Sequence, residues 1–242
     1  MTTSFRIATY NIHKCKGIDM RVSPERIADV LSEIDADIIA LQEVVAIRHS
    51  APEKDQARFI ADRLGFAYSM GENRLHNGGG YGNVILSRFP IVGHKNFDIT
   101  IAGREPRGCQ HGDIQLDGES LLHIYNIHLG TAFFERRKQV RHLLSDAILN
   151  REHASARVML GDFNEWTNGL ASRSLKAHFR SPDLRQHLNR RRTYPGILPI
   201  MHLDHIYYDD RLRLTKAFVH DSREAKLASD HLPLVADFEA GM

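Results

Sequence analysis

The chain has few cysteines, no long apolar run and little excess charge, and each shortage narrows what it can be. Two cysteines, Cys15 and Cys109, are all that 242 residues carry. At most one disulfide can form, and reduced thiols in a cytoplasmic protein are the expectation. No stretch approaches the roughly 20 apolar residues that a membrane-spanning helix needs. The first residues, Met1 to Ala8, lack the apolar core of a signal peptide. A soluble, cytoplasmic protein is therefore expected. The formal net charge of +2 is too small to mark a nucleic-acid binder by itself. No internal repeat, low-complexity tract or linker interrupts the chain, and its length suits one domain over residues 1–242. What it does have in number is histidine, 15 in all, which makes its charge sensitive to mild acid.

Read in order, the chain offers strands and a few helices. Phe5 to Asn11 is apolar and β-prone. Ser23-Pro24-Glu25 predicts a helix start, with an N-cap Ser, Pro at the first helical position and acid in the first turn. Ile27, Val30, Leu31 and Ile34 follow at helical spacing. Asp37 to Leu41 reads as a buried strand ending at Gln42-Glu43. A second helix is expected from about Pro52 to Leu64, then a Gly-rich loop at 77–80 and a strand from Tyr81 to Ser87. Segments 91–100, 108–116 and 119–128 suit consecutive antiparallel strands, with Asp117-Gly118 as a hairpin turn. A basic helix is expected from Glu135 to about Asn150, then a short strand, Val158 to Gly161. Residues 166–201 read as loops and helical turns. Strands are expected at 203–208, 214–219 and 232–238. Strand runs without intervening helices argue α+β, with sizeable antiparallel sheets.

Polar residues recur where these strands end: Asn11, Glu43, His128, Asp162, Asn164, Asp204 and His231. Each has a plain explanation on its own. Asp162 and Asn164 suit a turn, a lone Glu suits a solvated strand end, and a lone His suits a structural contact. Repetition at so many strand ends is what points to a site. In an extended chain, Asp162 and Asn164, at i and i+2, would also share one side.

The order of these signals resembles the endonuclease/exonuclease/phosphatase superfamily of DNase I-like phosphoesterases. The motifs are Thr9-Tyr10-Asn11, Leu41-Gln42-Glu43-Val44, Tyr81-Gly82-Asn83, Asn126-Ile127-His128, Gly161-Asp162-Phe163-Asn164, Leu203-Asp204 and Ser229-Asp230-His231. They span residues 6 to 238. The resemblance implies a four-layered α/β/β/α sandwich, with two mixed sheets face to face and helices outside. It also implies Mg2+- or Mn2+-dependent phosphoester cleavage by in-line attack of an activated water. On that basis Glu43 binds the metal, helped by Asn11 and Asp230, since Mg2+ favours oxygen ligands and few carboxylates. Asp162 activates the water and Asn164 holds it or a phosphate oxygen. His231, oriented by Asp204, meets the phosphorane charge. His128 is the family's second histidine, a general acid or oxyanion stabiliser. Tyr81 and Asn83 match its phosphate-contacting strand. Two departures stand out. His13 replaces an Asp that some nucleases of the family carry, and His205 beside Asp204 has no assigned role. Taking His128, Asp162, His205 and His231 as a calcineurin-like dinuclear centre fails, because that family's motifs are missing.

The substrate is open at this level. A phosphodiesterase or nuclease needs a basic surface for phosphates. Arg136, Arg137, Lys138 and Arg141 read better as a solvated helix face, whereas Arg190, Arg191 and Arg192, followed by Tyr194, are candidates for a substrate-selecting loop. A phosphomonoesterase or a lipid or inositol-phosphate headgroup hydrolase is the alternative. A lipid substrate calls for exposed apolar loops, and Trp166 beside Phe163 is the sole hint. A non-catalytic binding module on the same fold is disfavoured by the intact acids and histidines. The partner expected is a phosphoester, with nucleic acid among the candidates, and the chain is expected to be a monomer.

Overall fold

The computed structural model describes residues 3–47, 51, 54–118, 120–145, 148–149, 155–165, 169–183 and 185–241. Its eleven described strands are β1 (Thr3–Asn11), β2 (Ile38–Ala46), β3 (Ala67–His76), β4 (Gly79–Ser87), β5 (Ile91–Asp98), β6 (Gly108–Asp117), β7 (Ser120–His128), β8 (Ala156–Asp162), β9 (Asp204–Tyr208), β10 (Leu212–Val219) and β11 (Leu234–Ala240). The helices are α1 (Pro24–Ile34), α2 (Gln56–Leu64), α3 (Phe133–Leu143), α4 (Leu170–Lys176) and α5 (Arg223–Ala228).

The strands form two mixed sheets packed face to face. One has the order β10-β11-β1-β2-β4-β3, the other β5-β6-β7-β8-β9. Each holds one parallel pair, β1 with β2 and β7 with β8, among antiparallel neighbours. Apolar side chains from both inner faces, such as Ile7, Leu41, Ile124, Val158 and Ile206, share one core with α1 and α2. A second cluster packs α3 and α4, through Val140, Leu143 and Leu175, on the outer face of the second sheet. The helices thus complete the sandwich on both sides. Among the described residues, no helix is long and apolar enough to cross a membrane.

Local chemistry explains the element ends. Ser23 accepts the Arg26 N–H at the start of α1 and Asp55 does the same for Arg58 in α2, each worth about 1 kcal/mol. The second helix therefore begins at Gln56, and Pro52, its expected start, lies outside the described residues. Helix α3 begins two residues earlier than expected and ends at Leu143, and Asn150 also lies outside the described residues. Strand β8 runs through Gly161, which does not end it. At φ +144°, with Ile127 O 1.8 Å from where a Cβ would stand, Gly161 lets β7 approach closely. Strand β2 likewise continues past Glu43 to Ala46, because a bulge absorbs that residue. Strand β3 and helix α5 are additions to the expected set.

Topology gathers the strand ends. The C-terminal ends of β1 and β2 lie side by side, and the residues preceding β11 sit beside the end of β1. In the other sheet, Asp162 pairs with His128 on one side and Asp204 on the other. Between the sheets, the Gln42 amide donates to Asn126 Oδ1 at 2.8 Å. The Asn126 amide donates to the Leu41 and Val84 carbonyls at 3.0 Å. This buried polar contact bonds the second sheet to the first, immediately below the strand ends.

Candidate active site

Asn11, Glu43, His128, Asp162, Asn164, Asp230 and His231 line one cavity of about 310 Å³. Arg107, Thr131, Arg136, Tyr194, Met201 and Leu203 complete its wall. Asp204 lies behind His231, fully buried.

Glu43 reaches the cavity through the bulge in β2. Leu41 pairs with Val84 and Val44 with Gly82, so Gln42 and Glu43 together face Asn83. Glu43 takes the left-handed conformation, φ 58°. The extra residue breaks strict alternation, so Gln42 stays between the sheets while Glu43 turns into the site. Glu43 Oε1 accepts from Asn11 at 3.2 Å, and Oε2 pairs with the Lys14 ammonium at 2.6 Å. Lys14 is presented by a turn of three successive left-handed residues, His13, Lys14 and Cys15. Burial would raise the Glu43 carboxyl, but His128, Lys14 and Asn11 outweigh it and hold it at about 2. His13 Nδ1 stands 3.6 Å from Asp230.

Asp162 is surrounded by donors. Its Oδ2 accepts from Asn11 at 3.0 Å and lies 3.5 Å from His128 Nε2 and 3.7 Å from His231 Nε2. Its Oδ1 accepts the Asn164 N–H at 2.8 Å. Asn164 is not the next inward residue of an extended strand. It is left-handed, φ 49°, and its amide donates to the Leu129 carbonyl at 2.9 Å.

The two histidines differ in charge. His231 Nδ1 bonds Asp204 Oδ2 at 2.9 Å. Burial would lower its pKa, but Asp204, Asp162 and Asp230 prevail and push it up to about 10. It is therefore an imidazolium at neutral pH. Burial and the Arg107 cation push His128 down to about 4, so it is neutral there. With His128 neutral, Lys14 is the cation that keeps Glu43 ionised. His128 Nδ1 faces Arg107 Nη1 at 3.5 Å, which leaves the Nε2–H to point at Asp162. A neutral imidazole so placed orients Asp162 and is a poor general acid.

Tyr81 and Asn83 do not line the cavity. Asn83 donates to the Gly108 and Asn126 carbonyls, at 3.3 and 3.1 Å, and so ties the sheets together. Tyr81 stacks beneath the Arg74 guanidinium at 4.4 Å. Arg74 pairs with Glu105, and Glu105 with Arg107. Arg190, Arg191 and Arg192 also lie outside the lining and are exposed. Arg191 pairs with Asp221 at 2.5 Å, and Arg192 donates to the Ile200 carbonyl. From that loop Tyr194 enters the cavity, its ring 4.9 Å from that of His231. His205 packs between Phe163, His202 and Tyr207, on the other side of β9 from Asp204.

Sequence reasoning missed Thr131, Met201 and Arg107 in the cavity wall and misread Arg136; both arginines are buried. Arg136 does not belong with the solvated face of α3. With Gln139, Val140 and Leu143 it falls at i, i+3, i+4 and i+7, the buried stripe, and that spacing was readable. The Nε of each arginine is buried without a hydrogen-bond partner among the described residues. Trp166 lies outside the described residues. Exposed apolar residues instead flank the lining in sequence, Phe133 and Phe134 after Thr131, and Ile197, Leu198 and Ile200 before Met201.

The donor set suits a hard divalent cation. Glu43 and Asp230 offer oxygen, with few carboxylates close together, as Mg2+ sites do, and the Asn11 carboxamide, whose NH2 now faces Glu43, would add its oxygen by turning over. Glu43 Oε2 already holds a positive charge, the Lys14 ammonium.

Comparison with known proteins agrees with this geometry. The family model described as Endonuclease/Exonuclease/phosphatase family matches residues 8–231. Protein YbhP of Escherichia coli is 28% identical over 97% of this chain and 96% of its own. The crystal structure of an endonuclease/exonuclease/phosphatase from Beutenbergia cavernae has a TM-score of 0.78 at 22% identity, covering 99% of this chain and 72% of that one. A mannosyl-6-phosphatase from Bacteroides thetaiotaomicron also has a TM-score of 0.78, at 18% identity, covering 97% of this chain and 99% of its own. These structures share the fold, and the family match extends over nearly the whole chain: the protein belongs to the endonuclease/exonuclease/phosphatase family.

Proposed function

We propose that this protein is a divalent-metal-dependent phosphoesterase that cleaves a P–O bond, with a phosphodiester as its substrate. The observation that carries the reading is one cavity in which Asn11, Glu43 and Asp230 face Asp162 and His231, with Asp204 bonded to His231 from behind. Mg2+ or Mn2+ held by Glu43, Asn11 and Asp230 would polarise a phosphoryl oxygen. Asp162, fixed by its surrounding donors, accepts a proton from the attacking water. As the new P–O bond forms and the ester bond breaks, negative charge grows on the phosphoryl oxygens. The His231 imidazolium lies beside Asp162 to meet that charge, and Asp204 keeps it protonated and oriented. Asn164, held by Leu129 and Asp162, borders the water position.

Hydrolysis of bis(p-nitrophenyl) phosphate and of p-nitrophenyl phosphate, each with Mg2+ and with EDTA, tests this reading. The diester should be cleaved faster, EDTA should abolish turnover, and Glu43→Gln should keep the fold and lose most of the rate. Full activity in EDTA, or in Glu43→Gln with saturating Mg2+, would overturn the metal assignment. No turnover of any phosphoester would return the chain to a binding role.

A phosphomonoester is the second reading. It is favoured by Arg107 and Arg136, two buried guanidiniums on a cavity of this small size. Planar guanidinium forks suit the several oxygens of a terminal phosphate. Faster cleavage of p-nitrophenyl phosphate, with kcat/KM falling in Arg136→Ala, would select it.

A further inference from the structure

Away from the cavity, the outer face of the second sheet carries a group of side chains that the phosphoesterase reading does not use. His111 and Asp113 are alternate residues of β6 and share a face, and His123 is the direct cross-strand partner of Asp113 on β7. Asp113 Oδ1 lies 2.6 Å from His123 Nδ1 and 3.1 Å from His111 Nε2, and those two nitrogens are 3.4 Å apart. None of the three lines the catalytic cavity. His111 is four residues from Arg107, which immediately precedes β6, about 14 Å at strand rise.

We propose that His111, Asp113 and His123 form a second metal site, for a zinc-type divalent transition ion. The ligand types are those of zinc, two neutral imidazole nitrogens and a carboxylate oxygen. The spacing also fits. Metal–ligand bonds of about 2.0–2.2 Å at tetrahedral angles place neighbouring ligand atoms about 3.4 Å apart. The two nitrogens already stand at that edge, and the carboxylate has only to move outward by a fraction of an ångström. The surroundings hold the donors in place. His111 stacks on Tyr125 with centroids 4.6 Å apart, and both imidazoles are mostly covered, at 14% and 12% exposure. Asp113 is the more open, at 27%, and faces the entry path. Gly93, opposite Asp113 on β5, leaves room for the carboxylate, because a Cβ there would lie 2.5 Å from Asp113 Oδ2. Lys95, across from His111, is drawn aside by Phe97, with its ammonium 4.5 Å over that ring. Three protein ligands leave a fourth position for water. Because the ligands come from two paired strands, the ion fastens the β6–β7 hairpin.

The site is separated from the catalytic one by ion preference. Zn2+ is titrated calorimetrically into the EDTA-stripped full chain in the presence of saturating Mg2+, which avoids imidazole. One equivalent should bind to the unaltered protein and equally to Glu43→Gln, so failure of the phosphoesterase reading would leave this result intact. His111→Gln, His123→Gln and Asp113→Asn should each lose Zn2+ binding while cleaving p-nitrophenyl substrates at the unaltered rate. Gly93→Ala keeps all three ligands and should weaken Zn2+ about tenfold by displacing Asp113. Should a histidine variant fail to fold, Co2+ in the unaltered protein decides, through the intense visible absorption of a four-coordinate site. No Zn2+ uptake in Mg2+, Co2+ absorption typical of six-coordinate aquo ions, or Zn2+ binding unchanged in the ligand variants would each overturn the proposal.

Discussion

His231 keeps its proton because Asp204, Asp162 and Asp230 together outweigh its burial. Removing the carboxylate bonded to it is the sharpest test at this scale. Asp204→Asn should lower the His231 pKa from about 10 and move the alkaline limb of the pH–rate profile to lower pH. Activity near neutrality should survive better than in His231→Ala. A variant with an unmoved limb would detach Asp204 from the chemistry. The stability sign follows from the same shift. A folded pKa raised above the ordinary value of about 6.5 stabilises fully below that value and less as pH rises through about 10. Asp204→Asn should therefore flatten the stability–pH curve across that window in urea melts. Asp162 and His231 are proposed to serve one step, so each Ala variant should reduce kcat by orders of magnitude and the double variant little further. Multiplicative losses would separate their roles. Asp162 was legible because it follows the apolar run Val158 to Leu160, and Asp204 and His231 because each stands just before a β-prone run, in the order the family's motifs take. Arg107 and the neutral state of His128 were not, because both depend on a contact between residues 21 positions apart.

At the scale of elements, two backbone irregularities place the site. The bulge in β2 aims Glu43, and the glycine in β8 lets the His128 and Asp162 strands come together. Gly161→Ala would set a Cβ against the Ile127 carbonyl at a backbone angle that L residues rarely adopt. It should cost about 3 kcal/mol or more, read as a lower urea midpoint with an unchanged slope. An unchanged midpoint would show that β7 and β8 can part without penalty. Strands with dense apolar runs were readable, as was the capped start of α1. Strand β3 was not, since Ser69, Gly71, Glu72, Asn73 and Arg74 give an edge strand no alternation. The bulge was not readable either, because Leu41-Gln42-Glu43-Val44 has the same pattern whether the strand ends there or kinks and continues.

The whole molecule divides the site between its sheets. Asn11, Glu43, Asp230 and His231 belong to the first, and His128, Asp162, Asn164 and Asp204 to the second. Asn126 is fully buried between them, with Gln42, Gln110, Leu41 and Val84 as partners. Asn126→Ala strands several buried polar groups and should cost about 3 kcal/mol, measured by thermal or urea unfolding. A loss well below that would mean water replaces the amide. The two-sheet fold was legible from the run of strands, whereas its polar fastening was not, since a lone Asn within a strand carries no mark of the sheet it bonds to. That fastening makes the protein a gauge of its own alignment. A slide of one sheet over the other by a fraction of an ångström would leave every strand intact and yet part Asp162 from Asn11. Turnover would then report displacements that circular dichroism does not see, and in rising urea it would fade before the strands melt.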